Sequence, residues 1–76
     1  MAELLAYLAR QLVDEPEAVR VEEVEEGGVL VLRLRVAPDD VGKVIGRGGR
    51  IARALRTIAR AGSLRENRRI LLEIAE

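Results

Sequence analysis

Val41-Gly42-Lys43-Val44-Ile45-Gly46-Arg47-Gly48-Gly49-Arg50 is the stretch on which the reading of the fold turns. Two apolar residues run into Gly46-Arg47-Gly48-Gly49, and an arginine-rich stretch of helix formers follows. This is a G-x-x-G loop between two short helices, basic on both sides. Glycines clear side chains from the approach, and the start of the following helix turns free N–H groups outward, so the loop suits an anion. The anion that fits best is the sugar-phosphate backbone of a single-stranded nucleic acid.

Upstream, Ala37-Pro38-Asp39-Asp40 reads as a helix start, with proline in the first turn and two aspartates at the positive end of the dipole. Gly46 ends that helix after about two turns. A second helix runs from the end of the loop to about Ala61, with Ile51, Ala54, Leu55 and Ile58 as its buried face and Gly62-Ser63 closing it. Before this unit, Leu5, Leu8 and Leu12 form one stripe of a helix over residues 2–13, which Pro16 stops. Val19 and Val21 begin a strand that ends in the acidic run Glu22 to Glu26, and Gly27-Gly28 supplies a tight turn. Val29 to Val36 alternates most clearly: Leu30, Leu32, Leu34 and Val36 face one way, Val29, Val31, Arg33 and Arg35 the other. Arg68 to Ala75 alternates again as a third strand. The order is α-β-β-α-α-β, and three helices can cover one face of a three-stranded sheet. The expectation is one two-layer α+β domain over residues 1–76.

Composition bounds the chemistry. Cysteine and histidine are absent, which removes thiolate chemistry, the commonest metal ligand and the commonest general base. Ser63 is the only serine, and nothing is placed to activate it. The glycine loop matches neither a Walker A motif, which needs G-K-[ST], nor a dinucleotide fingerprint, since Ile51 stands where the third glycine belongs. No cofactor and no enzymatic activity are expected. The first apolar stretch is short and carries Glu3 and Arg10, unlike a signal peptide, and no run approaches the ~20 apolar residues that span a bilayer. A soluble cytoplasmic protein without a membrane partner is the expectation.

The formal charge is zero, yet it is divided. Residues 1–28 hold eight acids and two bases, a net of −6, whereas residues 29–69 hold eleven bases and three acids, a net of +8. A ligand responds to the local field and not to the sum. The competing reading is that the acidic and basic parts pair across the fold.

The string Gly42 to Ile51 inside this order of elements resembles a type II KH domain, and the whole chain resembles the KhpA group of small bacterial single-KH-domain proteins. One departure is that Ile51 falls two residues after Gly49 and Ala52 takes the third position, where many relatives carry isoleucine. The resemblance implies binding of single-stranded RNA, and sometimes DNA, about four nucleotides at a time. It also implies a KhpB-type partner protein and a role as RNA chaperone or post-transcriptional regulator.

Physical chemistry assigns roles within that frame. Gly46 and Gly49 admit a sharp turn and close phosphates, and Gly48 adds flexibility. Arg47 projects from the loop as the main phosphate contact, and Lys43 and Arg50 add charge on either side. Arg53 is one turn further. One of Val44 and Ile45 belongs to the core and the other to the groove floor; Ile45 is taken as the groove residue. Arg56 and Arg60 read as solvated helix surface. Arg33, Arg35, Arg65, Arg68 and Arg69 either edge the groove or pair with the acidic segment. Without aromatics near the loop, bases rest on aliphatic surface, which predicts modest affinity and loose sequence preference. Two alternatives stand beside this reading. One is a helix-turn-helix binder of duplex DNA using residues 50–61, disfavoured by an outward face of Arg and Ala. The other is a protein-interaction module using Val29 and Val31 or the first helix. A homodimer would gain by avidity, but no dimer seam is legible.

Overall fold

The computed structural model describes residues 1–75. Helix α1, Ala2–Leu12, buries Leu5 and Ala9 and ends at an extended Val13 ahead of a 3-10 turn at Pro16–Ala18. Strands β1, Arg20–Glu26, and β2, Val29–Arg35, form an antiparallel hairpin. Gly27 and Gly28 join them with φ of +55° and +82°, the double positive φ that a two-residue hairpin turn demands. A 3-10 turn at Pro38–Asp40 leads into helix α2, Val41–Ile45, and Gly46 follows. Helix α3, Arg50–Glu66, then returns the chain to β3, Arg69–Ala75, which lies parallel to β2. The strand order is β1-β2-β3, so β3 is an edge strand with α3 packed beside it.

The inner face of the sheet and the three helices share one core. Leu30, Leu32 and Leu34 of β2, with Val36 just beyond it, meet Ile70 and Leu72 of β3, Leu5 and Ala9 of α1, Val44 of α2, and Leu55 and Ala59 of α3. This is the α+β arrangement that the alternation in β2 predicts. The outer face follows the register. Val24, Val31 and Leu71 lie side by side across the three strands, and Glu22, Arg33 and Glu73 form the next row. Val31 is buried by these neighbours, whereas Leu71 beside it on the same face stays exposed.

Helix α3 differs from expectation in its length and its face. It runs through Gly62 to Glu66, and Asn67 ends it in the left-handed conformation with φ +53°. Gly62 is a buried packing residue, because a Cβ there would run into the Met1 side chain. Ser63 does not close the helix either. Its hydroxyl donates to the Ala59 carbonyl and accepts from the Ile70 N–H at 2.8 Å, joining α3 to β3. The buried stripe is Ala52, Leu55, Ala59 and Gly62, flanked by half-buried Ile51 and Ile58. Ala54 is exposed because it sits about 200° around the axis from Ala52.

Candidate nucleic-acid interface

The loop is held in place from below by α2. Val44 is fully buried and Ile45 is 39% exposed, which divides the pair: Val44 anchors α2 in the core, and Ile45 lies at the surface beside the loop. Asp40, only 1% exposed, accepts a hydrogen bond from the Glu15 N–H at 3.0 Å. It thereby ties the start of α2 to the connection after α1. The expected role of Asp40 as a surface charge on the helix dipole is replaced by this buried tether. Burial pushes the Asp40 carboxyl up, but the N–H groups of Glu15 and Asp14 and the Lys43 ammonium outweigh it and hold it below its ordinary value.

The Lys43 ammonium completes the cluster, 3.0 Å from Asp14 and 3.6 Å from Asp40. Its hydrogen bond to Asp14 raises its pKa above the usual lysine value. Lys43 and Ile45 diverge by about 160° around α2, so the ammonium sits on the side of the helix away from Ile45. Sequence spacing placed Lys43 beside the loop; the structure commits its charge to two carboxylates.

The loop itself is a tight turn closed by Gly49 N–H donating to the Gly46 carbonyl at 3.1 Å. Gly46 has φ +78° and ψ 170°, a region open in practice only to glycine. A Cβ on Gly46 would also stand 2.7 Å from Ile51 Cγ1 and 3.0 Å from the Ile51 nitrogen. Gly46 therefore serves the packing of the loop on α3 as much as any ligand. Gly48 and Gly49 face open space, with φ of +64° and +76°. Arg47 and Gly48 are exposed at the tip. Helix α3 begins directly behind it, with the Arg50 N–H donating to the Arg47 carbonyl across the turn.

From the loop a basic ridge runs down α3. Arg50, Arg53, Arg56 and Arg60 are all exposed, and none of them, nor Arg47, is ion-paired among the described residues. Arg50 to Arg60 covers about 15 Å at 1.5 Å per residue. Between α3 and the free edge of β3 lies a groove of about 500 Å³, walled by Arg56, Arg60 and Ser63 on one side and residues 69–73 on the other. Arg56 and Arg60 are thus groove walls and not merely solvated helix surface.

The edge of β3 supplies the wall that the sequence reading missed. Ile70 turns its N–H and carbonyl away from β2; the Ser63 hydroxyl accepts from that N–H and shares its one proton between the Ala59 and Ile70 carbonyls. Strand alternation turns the N–H and carbonyl of Leu72 the same way, where they have no partner among the described residues. The signal was in the order of elements, since a strand reached by a parallel crossover after the α3 helix can take the sheet edge beside it. The other arginines divide. Arg35 pairs with Glu22 and Arg68 with Glu25 on β1, and Arg33 lies 3.6 Å from Glu73. The hydrogen bond from Arg35 lowers the Glu22 pKa. Arg69 lines the groove. The acidic segment thus neutralises arginines of the sheet, and the α3 ridge keeps its charge.

Comparison with known proteins agrees with this geometry. The sequence model described as KhpA/KhpB, KH domain matches residues 2–74. The RNA-binding protein KhpA of Treponema pallidum is 53% identical over 74 residues, covering 97% of this chain and 92% of that protein. The RNA-binding protein KhpA of Caldanaerobacter subterraneus is 47% identical over 74 residues, covering 97% and 99%. That of Halalkalibacterium halodurans is 45% identical over the full length of both. Among solved structures, Era in complex with MgGDPNP and nucleotides 1506–1542 of 16S ribosomal RNA aligns with a TM-score of 0.63 at 21% identity, over 96% of this chain. A point variant of Aquifex aeolicus Era, bound to GDP and aluminium fluoride, aligns with a TM-score of 0.62. This chain spans 28% of the length of either Era chain, so that likeness concerns the fold alone. The α-β-β-α-α-β order, the parallel β2–β3 pair and the glycine loop between α2 and α3 make the fold a type II KH fold, and the chain belongs to the KhpA/KhpB KH-domain family.

Proposed function

We propose that this chain binds single-stranded RNA, without catalysis, through the Gly46–Gly49 loop and the groove between α3 and β3. The observation that carries the reading is the set of unpaired arginines leading from a side-chain-free loop into a groove with an open strand edge. Gly46, Gly48 and Gly49 let phosphates approach the amides at the start of α3. Arg47, Arg50 and Arg53 take the phosphates, and Ile45 floors the groove beside the loop. Lys43 holds α2 in place. Bases turn toward the β3 edge, so that about four nucleotides are accommodated. Relatives of nearly the same length carry the name RNA-binding protein KhpA, which supports the ligand class. In the same reading the whole chain acts as one KH unit of a bacterial RNA chaperone or post-transcriptional regulator, with a KhpB-type protein as partner.

The test is fluorescence anisotropy with short single-stranded RNA, with duplex as competitor. Three phosphate contacts give a slope of log affinity against log salt of about −2. The double variant Arg47→Asp, Gly48→Asp abolishes binding and leaves the fold intact. Position 47 is exposed, a side chain at 48 meets nothing within 4 Å, and aspartate tolerates the left-handed conformation better than most residues. Unchanged binding by that variant would move the site elsewhere.

A further inference from the structure

We propose that the two free edges of the sheet fit each other, so that β1 of one copy adds to β3 of a second and the chains associate head to tail. Both edges carry unpaired main chain. The two-residue turn at Gly27-Gly28 makes Glu26 and Val29 a hydrogen-bonded pair, which turns the N–H and carbonyl groups of Val21, Glu23 and Glu25 outward. On β3 the outward groups belong to Ile70, Leu72 and Ile74, and Ser63 occupies only those of Ile70. The others have no main-chain partner among the described residues. Glu23 lies opposite Leu32, on the helix side of the sheet, yet it is exposed. No helix therefore covers that part of the β1 edge.

A sheet continued in the same sense sets β1 of the second copy antiparallel to β3, since β1 runs antiparallel and β3 parallel to β2. Placing Glu23 of that copy opposite Leu72 joins their outward main-chain groups, and Val21 then falls opposite Ile74. The remaining rows follow from this register. Val24 meets Leu71, which is 43% exposed in the single chain. Glu26 meets Arg69, and neither has an ion pair among the described residues. Glu23, likewise unpaired, enters the groove that Arg56 and Arg60 wall. The one row of like charge is Glu22 against Glu73, and each already holds an arginine of its own sheet. Two β1 strands paired about Glu23 would instead set that glutamate against itself, which disfavours the symmetric alternative. Zero net charge leaves no overall repulsion between copies. The contact joins two different surfaces, so it repeats from chain to chain. It also fills the groove assigned above to RNA. That consequence rests on the RNA reading, whereas the pairing of the edges does not.

Sedimentation equilibrium of the full chain measures the association as weight-average mass. So small a contact is weak, and at about 1 mM protein and about 10 mM salt, where charges act over about 30 Å, the mass about doubles. At about 1 M salt, where they act over about 3 Å, the increase is lost. Two variants divide the contact. Glu23→Lys with Glu26→Lys spoils the β1 edge, and Arg56→Glu with Arg60→Glu spoils the groove. All four positions are exposed, and circular dichroism confirms that each variant is folded. Neither variant gains mass alone at low salt. Their equimolar mixture does, because each restores the opposite charges the other has lost, and amide exchange at Glu23 and Leu72 slows in the mixture. Growth of either variant alone, no growth of the unaltered chain at low salt, or no growth of the mixture overturns the inference. Adding rU8 then disperses the mixture, since RNA and the second copy contend for one groove. If the mixture forms and RNA leaves it intact, the edge pairing is upheld and the groove fails as the RNA site.

Discussion

Replacing Gly46 by alanine tests whether the loop is built by packing or only by chain flexibility. The residue adopts φ +78° and ψ 170°, and the added methyl would sit 2.7 Å from Ile51 Cγ1. Two costs combine. Forcing a residue with a Cβ into that region costs about 1–3 kcal/mol. Displacing Ile51, whose backbone nitrogen stands only 3.0 Å from the new methyl, adds about 1–3 kcal/mol of overpacking. At roughly 0.05–0.15 kcal/mol per residue, the whole chain has only about 4–11 kcal/mol to lose. At about 4–8 °C per kcal/mol for a domain of this size, Tm falls by at least about 10 °C. Gly48→Ala and Gly49→Ala are the controls: both have positive φ, but their methyls meet nothing within 4 Å. Each costs only the left-handed penalty, roughly 1–2 kcal/mol. A double-mutant cycle isolates the contact. Ile51→Ala removes the 2.7 Å clash but keeps its own Cβ and nitrogen at 3.0 Å, so Gly46→Ala becomes cheaper there by about 1 kcal/mol. Thermal and urea unfolding followed by circular dichroism read all of these. Equal losses for Gly46→Ala and Gly48→Ala, or a coupling near zero with Ile51, would refute the packing argument.

Other expectations follow from the same geometry. Val44→Ala costs about 2 kcal/mol by chemical denaturation, whereas Ile45→Ala leaves stability nearly unchanged and weakens RNA binding in anisotropy. Arg50→Ala with Arg53→Ala removes two of the three phosphate contacts and reduces the salt slope of RNA binding by about 1.4, and Arg65→Ala leaves it unchanged. Asp40 has its pKa lowered in the fold, so its contribution is present above the unfolded value near 3.8 and is lost as pH falls through the folded value. Asp40→Asn therefore lowers Tm at pH 7, and the gap to the unaltered chain closes in melts below about pH 3.8. Ser63→Ala leaves the Ile70 N–H without its acceptor and lowers stability by about 1–3 kcal/mol in urea titration.

What the sequence made legible is what depends on local pattern. Alternation in Val29 to Val36 marks a half-buried strand whatever its neighbours, and Gly27-Gly28 marks the hairpin turn because few other pairs accept two positive φ values. The glycine loop was legible for the same reason. What stayed hidden depends on contacts distant in sequence. Gly62 reads as a helix stop until Met1 is seen packed on it. Asp40 reads as a dipole charge until the backbone of Glu15, 25 residues away, is seen donating to it. Lys43 is basic and close to the loop in sequence, but its pairing with Asp14 and Asp40 shows only in the fold. Periodicity could not separate Val44 from Ile45 on a helix of five residues, which is too short to define a face. Only the contact with the core decides it.

The divided charge has a structural logic that the zero sum conceals. An acidic segment tied at random would quench the whole basic surface and leave no field for a polyanion. Here β1 lies at one edge of the sheet and α3 beside the other, with β2 and β3 between them. The acids of β1 reach only what lies close: Arg35 on the next strand, and Arg68 at the start of β3. Beyond about 8–10 Å, salt screens what is left of their attraction. Arg47, Arg50, Arg53, Arg56 and Arg60 therefore keep their charge, although the chain as a whole carries none. The acids also make the far edge repellent to phosphate. On the proposed reading, the field of this charge division steers a polyanion toward the loop and the groove. In this chain, neutrality and a strongly basic site are products of the same order of strands.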